Sequence, residues 1–318
     1  MNIEKLIIDT LKSEVLPAMG CTEPVAVALA AAKAKELVEY DTINEVEILV
    51  SPNIYKNGLC VGIPYTDEIG LIIAGALGIT GGESIRDLQV LEGLTENDVK
   101  DAKKLVKDGV VKLDIKDTKE KVYVEVNFKA NGGYSKVVIQ ERHNNFVHVE
   151  FNDNIIYHKN CDGDASSEKS NELFDLKIRE IIKAIEEIDS SKLMFLIEGI
   201  EMNEKVAEAA LEKTLGMGVG SGLNKSIKDG LISNDLINNA MMLTAAASDA
   251  RMSGLSMPVM SSNGSGNHGL TAILPIVAYK RLYRVEDEKI VKALAISHLV
   301  TGYIKKYTGR LSPLCGCG

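Results

Sequence analysis

Apolar and charged residues alternate with the period of an α-helix over residues 3–16, until Pro17 and Gly20 interrupt the pattern. A second helix is predicted over residues 23–39. We expect Thr22 to be its N-cap, because a threonine hydroxyl can accept a hydrogen bond from a free N–H of the first turn. The alanine-rich stretch VAVALAAAKAKELV within it favours close packing against neighbouring helices. The chain therefore begins with two predicted helices.

Strand-like segments replace the helical pattern between residues 43 and 157. They are rich in β-branched and aromatic residues: NEVEILVSP, VVKLDIKD, KVYVEVNFKA, YSKVVIQER and FVHVEF. The turn sequence ANGG separates two of them. Two helices are also predicted in this region, near 67–80 and 95–107.

A polar segment, NCDGDASSEKSNE at residues 160–172, indicates a linker out of the strand-rich region. Helical patterns return after it, at 175–187, 203–213, 235–250, 270–283 and 287–306. We therefore predict an α+β fold. A helical domain, formed by residues 1–40 and 170–318, carries an inserted α/β domain of mainly antiparallel strands at residues 41–169.

Composition narrows the functional classes. The chain has 318 residues, of which 45% are hydrophobic, so it can bury a large core and is long enough for two domains. A formal net charge of −9 opposes binding to nucleic acid or to anionic membranes. The amphipathic N-terminus is unlike a signal peptide, and the sequence has no apolar run of about 20 residues. We expect a cytoplasmic protein with neither a nucleic-acid nor a membrane partner.

The five cysteines are expected to be thiols, ligands or catalysts in a reducing compartment. Cys21 precedes a predicted helix, where free N–H groups and the helix dipole favour a thiolate. A small buried residue in a tight turn is an equally good interpretation. Cys315 and Cys317 form CGCG, a weak metal-binding signal by itself. Cys60 is expected in the core, whereas Cys161 either faces the site or is an inert surface thiol.

The glycine-rich segment SSNGSGNHG, residues 261–269, precedes an apolar helix predicted to start near Leu270. Its polar side chains and backbone amides would converge on a helix N-terminus, an arrangement that binds a carboxylate or a phosphate. A loop that only caps the helix is the alternative. His268 is the acid–base candidate by residue type, and His298 is expected to be an ordinary packed histidine.

Polar residues also stand beside glycine-rich turns elsewhere in the chain. Lys56 and Asn57 occur in NIYKNG, and Asp249 and Arg251 occur in SDARMSG. Arg251 has the planar fork that binds a carboxylate through two hydrogen bonds. Surface salt bridges are the commoner alternative for either pair.

Six segments together resemble one family, in order and across nearly the whole chain: AMGCTEPVAVALAAAKA, NIYKNG followed by VGIP, HKNC, SDARMSG, VMSSNGSGNHG and LSPLCGCG. They are similar to segments of the L-cysteine desulfidases and related uncharacterised proteins, which are homologous to the α-chain of the bacterial iron–sulfur L-serine dehydratases. The resemblance implies a lyase of amino-acid catabolism with a [4Fe–4S] cluster. Three cysteines would hold the cluster and leave one iron open to the substrate.

The implied reaction removes the Cα proton of L-cysteine and expels sulfide. The resulting aminoacrylate hydrolyses to pyruvate and ammonia, and for L-serine water leaves instead. By motif, Cys21 matches the first ligand and either Cys315 or Cys317 the second. Family members continue beyond CGCG to a later cysteine, whereas this chain stops at Gly318. The expectation is either a shortened chain or a third ligand from Cys161, the spare CGCG cysteine or another chain.

The resemblance also implies a binding site for a small amino acid, with self-association into a homo-oligomer left open. Its expected substrate-binding residues are Thr22, Asn57, Arg251, Ser265 and Asn267. In this hypothesis Ser265 and Asn267 hold the substrate carboxylate together with loop amides, and Lys56 or His268 is the base. Tyr65 departs from the family, which usually shows glycine after VGIP, and its bulk would reshape or close the pocket.

Two alternative functions remain at this level. SGNHG also resembles the asparagine loop of the pyridoxal-phosphate-dependent serine and threonine dehydratases, which catalyse almost the same reaction. Those enzymes have a Schiff-base lysine upstream, where this chain offers only Lys225 and Lys228 in an unlike context. The other alternative is a catalytically inactive paralogue or fragment that has kept the fold and lost the cluster.

Overall fold

The computed structural model describes residues 2–159 and 172–308. Its α-helices are α1 (Ile3–Glu14), α2 (Thr22–Glu36), α3 (Pro52–Gly58), α4 (Leu71–Thr80), α5 (Glu96–Lys107), α6 (Ile178–Glu187), α7 (Ile197–Lys213), α8 (Val219–Lys228), α9 (Leu236–Met252), α10 (Gly266–Tyr283) and α11 (Asp287–Thr308). Its strands are β1 (Pro17–Met19), β2 (Ile43–Val50), β3 (Val111–Ile115), β4 (Tyr123–Ala130), β5 (Gly133–Gln140), β6 (Phe146–Phe151), β7 (Asn154–His158) and β8 (Pro258–Met260). Short 3₁₀ segments lie at 84–89, 172–175 and 190–196.

Six strands form one mixed sheet in the order β3-β2-β4-β5-β6-β7. β2 and β3 pair in parallel because the helices between them carry the chain back to the same end of the sheet, and the other neighbours are antiparallel. The predicted α+β class with mainly antiparallel strands is therefore confirmed. The ANGG turn joins β4 to β5, where a Cβ at Gly132 would lie 1.7 Å from the carbonyl oxygen of Glu39. Only glycine fits this crossing.

One face of the sheet packs against α2 and α4. Alternate residues of β2, namely Val46, Ile48 and Val50, are fully buried in this first core cluster. The small side chains of α2 let it approach α4 closely, and a Cβ at Gly78 would lie 2.3 Å from the carbonyl oxygen of Ala28. The alanine-rich helix thus packs against a helix and a sheet together.

A second core cluster is formed by α1 and the helices from α6 to α11. Ile7 and Leu11 of α1 are buried in it, whereas α2 is buried in the first cluster. The first 40 residues are therefore divided between the two cores, and the limits 1–40, 41–169 and 170–318 stay a prediction. In the part of the chain that is described, each helix is too short or too polar to cross a bilayer.

The two clusters meet where several elements begin or end. β1 pairs with β8, so Pro17 lies opposite Met260. The N–H of Gly62 donates to the carbonyl oxygen of Met252 over 2.9 Å, which joins the loop after α3 to the end of α9. Leu16 accepts the N–H of Ser261 over 2.8 Å. This junction brings the predicted motifs to one place.

The structure differs from the prediction at two helix starts. Cys21, and not Thr22, is the N-cap of α2, with extended backbone angles of φ −92° and ψ 135°. The Thr22 hydroxyl instead donates to the side chain of Glu23. α10 begins at Gly266 and not near Leu270. Its first turn consists of residues of low helix propensity, so the local sequence predicts a helix start that is too late.

Some elements were not predicted. α3 and α8 contain glycine and asparagine at several positions, which lowers helix propensity. β7 is a short strand at the edge of the sheet with every residue exposed, so it lacks the alternation of a half-buried strand. The predicted linker at 160–172 lies outside the described residues except at its last position.

Candidate active site

The carboxylate of Glu23, which is 3% exposed, lies at the centre of the junction. One oxygen, Oε2, accepts hydrogen bonds from the Cys21 thiol over 2.8 Å and from the Thr22 hydroxyl over 3.3 Å. The other, Oε1, accepts from Nδ2 of Asn57 over 3.3 Å. Three predicted site residues thus converge on a carboxylate that sequence reasoning did not single out.

Glu23 is held ionised by its neighbours. Burial raises its pKa, but the charge of His143, the hydrogen bonds from Cys21 and the backbone, and the charge of Arg251 bring the pKa below its ordinary value of 4.5. His143 lies in the loop between β5 and β6. The strand-rich region therefore contributes a residue to the site, and no motif in the sequence indicated it.

Cys21 is buried, with 2% of its surface exposed, and it stands at the N-terminus of α2 as predicted. The preceding Gly20 has a φ of 64°, and a Cβ there would lie 2.5 Å from Cγ of Pro64. Glycine is therefore required where the AMGCTE and VGIP segments touch. Free N–H groups and the helix dipole at this position favour a negative sulfur.

Arg251 connects three segments at the end of α9. It is 5% exposed, and its Nη2 donates to the carbonyl oxygen of Gly20 over 2.6 Å. Its Nη1 donates to Oδ1 of Asn267 over 2.9 Å. A Cβ at Gly266 would lie 2.4 Å from Nε of Arg251, so α10 can pack on the guanidinium only with glycine there. Nη1 also donates to Sδ of Met252 over 3.9 Å, so both terminal nitrogens are bonded to the protein.

The glycine-rich loop caps α10. Ser265 is the N-cap, and its hydroxyl accepts the N–H of His268 over 3.4 Å. Ser262 lies 2.9 Å from Nδ1 of His298, and Asn263 donates from Nδ2 to the carbonyl oxygen of His298 over 3.0 Å. His298 is 1% exposed, and burial lowers its pKa to about 4. It is the packed histidine that the sequence suggested.

His268 stands beside a buried lysine. Nδ1 of His268 lies 3.3 Å from Nζ of Lys305, and Lys305 is 8% exposed. Burial first, and then the charge of Lys305, lowers the pKa of His268 to about 4. Sequence reasoning missed Lys305. The sequence did contain a signal for its burial. Val291, His298 and Lys305 follow one another at intervals of seven residues on α11, which places them on one face, and the first two are buried.

The remaining candidate residues are exposed or make contacts elsewhere in the fold. Lys56 is exposed on α3, next to Asn57. Cys60 is exposed, so its expected place in the core is wrong: the segment before it is a helix, and Cys60 falls in the turn that follows. Lys225 and Lys228 are exposed on α8, and Asp249 accepts the N–H groups of residues 217 and 220 at the start of that helix.

Tyr65 occupies the position where the resemblance leads one to expect glycine. Its φ is 66°, a left-handed conformation that a bulky residue rarely adopts, and its N–H donates to the hydroxyl of Ser256 over 2.8 Å. The backbone there explains why glycine suits the position. The ring lines a hollow together with Met19, Pro64 and Leu91, beside the turn that leads to Cys21.

Only one of the cysteines considered as cluster ligands lies in the described part of the chain. Cys21 lies in the described part, whereas Cys161, Cys315 and Cys317 lie outside it. Across residues 2–159 and 172–308, no group of three histidine, cysteine or acidic side chains is arranged to hold a metal ion. The described residues therefore offer one buried thiol of the suggested ligand set.

Comparison with known proteins decides the family. The serine dehydratase alpha chain family matches residues 86–318. The chain belongs to this family. A UPF0597 protein of Alkaliphilus oremlandii is 57% identical to this family member over 318 residues, which cover 100% of the chain and 74% of the relative. One from Clostridioides difficile is 55% identical over 98% of the chain and 74% of its own length. No solved structure matches significantly.

Membership in the serine dehydratase alpha chain family implies a dehydratase-like role and lyase activity in amino-acid catabolism, in a family that is typically linked to iron–sulfur clusters. The matched residues include His143, Arg251 and His268 but not Cys21 or Glu23. The UPF0597 relatives extend over those two residues as well, since they align with the whole chain. The names of these relatives assign no substrate.

Proposed function

We propose that this chain takes part in iron–sulfur-dependent β-elimination on a small amino acid, with L-cysteine as the substrate and pyruvate, ammonia and sulfide as products; with L-serine, water leaves instead of sulfide. One observation carries the proposal. Two sets of hydrogen bonds meet at the Gly20–Cys21 peptide and bring motifs far apart in the sequence to a buried thiol. In one set Cys21 and Asn57 donate to Glu23, and in the other Arg251 donates to Asn267 and to the Gly20 carbonyl oxygen. Membership in the serine dehydratase alpha chain family supports the reaction class.

Cys21 would hold the cluster together with Cys315 or Cys317. A thiol must lose its proton to bind iron, so cluster binding would end the hydrogen bond that the Cys21 thiol donates to the Glu23 carboxylate over 2.8 Å. The bound cluster would supply an iron that acts as a Lewis acid on the leaving group. The chain's own residues must then bind the substrate carboxylate and remove the Cα proton.

Arg251 supports an anion-binding role for the junction. In the described ranges no carboxylate oxygen lies within ion-pair distance of Arg251, and Glu23 acts on it only at longer range. Because the buried guanidinium has no close counter-ion among the described residues, binding of an anion beside it is favoured. Helix α10 begins at Gly266 and Asn267, beside Arg251, and its first turn adds free N–H groups. We propose that the substrate carboxylate binds there.

Two residues are candidates for the base. Lys56 borders the site through Asn57, whose amide contacts Glu23. His268 lies in the first turn of α10 and follows Asn267, which binds Arg251. Their surroundings differ, because Lys56 is exposed whereas Nδ1 of His268 lies 3.3 Å from Nζ of Lys305.

Anaerobic reconstitution of the full chain with iron and sulfide tests the proposal. We expect bound iron, a broad visible absorbance and release of sulfide from L-cysteine that exceeds pyruvate release from L-serine. Cys21→Ala should lose the iron, since it removes a ligand. The matched control is Cys60→Ala, which removes an exposed thiol and should keep it. Absence of iron in the wild type, or equal iron in both variants, contradicts the proposal.

A further inference from the structure

We propose that Lys305 is a positioning residue that fixes His268 in the tautomer with its hydrogen on Nε2. His268 then acts as a hydrogen-bond donor to an oxygen of the substrate carboxylate and is not the base. The role toward the carboxylate rests on the proposed function. The tautomer itself does not, because it follows from contacts within the chain.

The ammonium of Lys305 is held by a rigid acceptor. Its Nζ donates to the carbonyl oxygen of Asn263 over 2.6 Å. Asn263 is 7% exposed, has a φ of 50° and donates from its side chain to Ser262 and to the carbonyl oxygen of His298. A Cβ at Gly302 would lie 2.6 Å from Oδ1 of Asn263, so the residue is enclosed from the side of α11 too.

The geometry then decides which nitrogen of His268 carries the hydrogen. An ammonium group has three donors and no acceptor. With Nζ of Lys305 at 3.3 Å, Nδ1 of His268 must be the acceptor, and the hydrogen of the neutral ring lies on Nε2. Burial and the charge of Lys305 keep the pKa of His268 near 4, so the ring is neutral at pH 7.

This arrangement suits a donor and not a base. The lone pair that would take up a proton belongs to Nδ1, which faces Lys305. In the described part of the chain, the structure records no hydrogen bond to Nε2 of His268. This nitrogen is also not one of the buried polar atoms that lack a partner, so it retains some exposure. His268 follows Asn267, which binds Arg251. An Nε2–H group there adds a donor to the region proposed for the carboxylate, and Lys56 remains as the base candidate.

The tautomer is measurable without turnover. In protein labelled with ¹⁵N at histidine, long-range ¹H–¹⁵N spectra distinguish Nδ1–H from Nε2–H rings, and His268→Gln identifies the His268 signals. We expect an Nε2–H ring that stays neutral down to about pH 6. Lys305→Met should raise the pKa of His268 and populate the Nδ1–H form. The matched control is Lys306→Met, because Lys306 is exposed and bonds Asp175. An Nδ1–H ring in the wild type overturns the inference.

Kinetics separate a donor from a base. Glutamine can still donate from its side-chain amide, so His268→Gln should keep kcat within a few-fold in reconstituted protein. His268→Leu should raise KM about 10- to 100-fold, since it removes a charge-assisted hydrogen bond. Equal loss of kcat in both variants would mean that His268 is the base. If the Nε2–H tautomer is found in a chain that takes up no iron, the proposed function fails and the positioning role of Lys305 stands.

Discussion

At the scale of single residues, the pairing of Cys21 with Glu23 sets the chemistry of the site. A thiolate at Cys21 would stand 2.8 Å from a carboxylate, and two negative charges at that distance repel each other. His143 and Arg251 supply the opposing positive potential, and both already lower the pKa of Glu23. An ionised sulfur at Cys21 would therefore depend on residues from both cores.

Arg251→Lys tests the connecting role of the guanidinium. A lysine ammonium is a compact point charge and lacks the fork that reaches Gly20 and Asn267 together. We expect the free energy of unfolding to fall by about 2–3 kcal/mol, measured by chemical denaturation. The control is Arg281→Lys, on an arginine with a 41% exposed side chain that pairs with surface glutamates, where the change should stay below about 1 kcal/mol. Equal changes would show that Arg251 is replaceable.

At the scale of elements, the contact between α2 and α4 places the N-terminus of α2 above the sheet. That contact depends on the absence of a side chain at Gly78. Alanine helices are stable by propensity, but propensity says nothing about the neighbour that covers them. The glycines of α4 supply the complementary shape.

Replacement of two glycines by alanine separates packing from propensity. Gly78→Ala would place a Cβ 2.3 Å from the carbonyl oxygen of Ala28, so we expect a loss of about 1–3 kcal/mol in unfolding free energy. Gly222→Ala on α8 meets no atom within 4 Å and should gain about 0.5–1 kcal/mol from helix propensity. Thermal unfolding of both variants measures the difference. A gain in Gly78→Ala would refute the close contact.

At the scale of the whole molecule, the junction between the two cores positions the site. Three contacts connect the segments at this junction: the pairing of β1 with β8, the hydrogen bond from Gly62 to Met252, and the hydrogen bond from Arg251 to Gly20. Each core contributes part of the site: Glu23 and His143 come from the sheet side, and His268 and Lys305 from the helical side. Neither set forms the site alone.

Gly62→Ala should loosen this junction. A Cβ at Gly62 would lie 2.3 Å from the carbonyl carbon of Ser253, so the two loops must separate. We expect faster hydrogen exchange in peptides covering residues 58–66 and 250–257, and unchanged exchange in β5 and α7, measured by mass spectrometry. Gly222→Ala is the control. Uniformly faster exchange would indicate global destabilisation in place of a local opening.

The sequence by itself determined the periodic elements and the motifs. Residues 3–16, the strand segments and the long C-terminal helices follow from local hydrophobic period, and the antiparallel class follows from the turn at Gly132. The segments around Cys21, Arg251 and 261–269 were identified because their residue types suit anion binding or metal ligation.

Only the tertiary structure decided which of these residues meet. Glu23, His143 and Lys305 look like ordinary charged or polar positions in a linear sequence, since nothing local reports burial. Folding places Glu23 beside Cys21 and Lys305 beside His268 across separations of 2 and 37 positions. Charge state and tautomer depend on such neighbours and on burial, so they become defined only when the two cores close on each other.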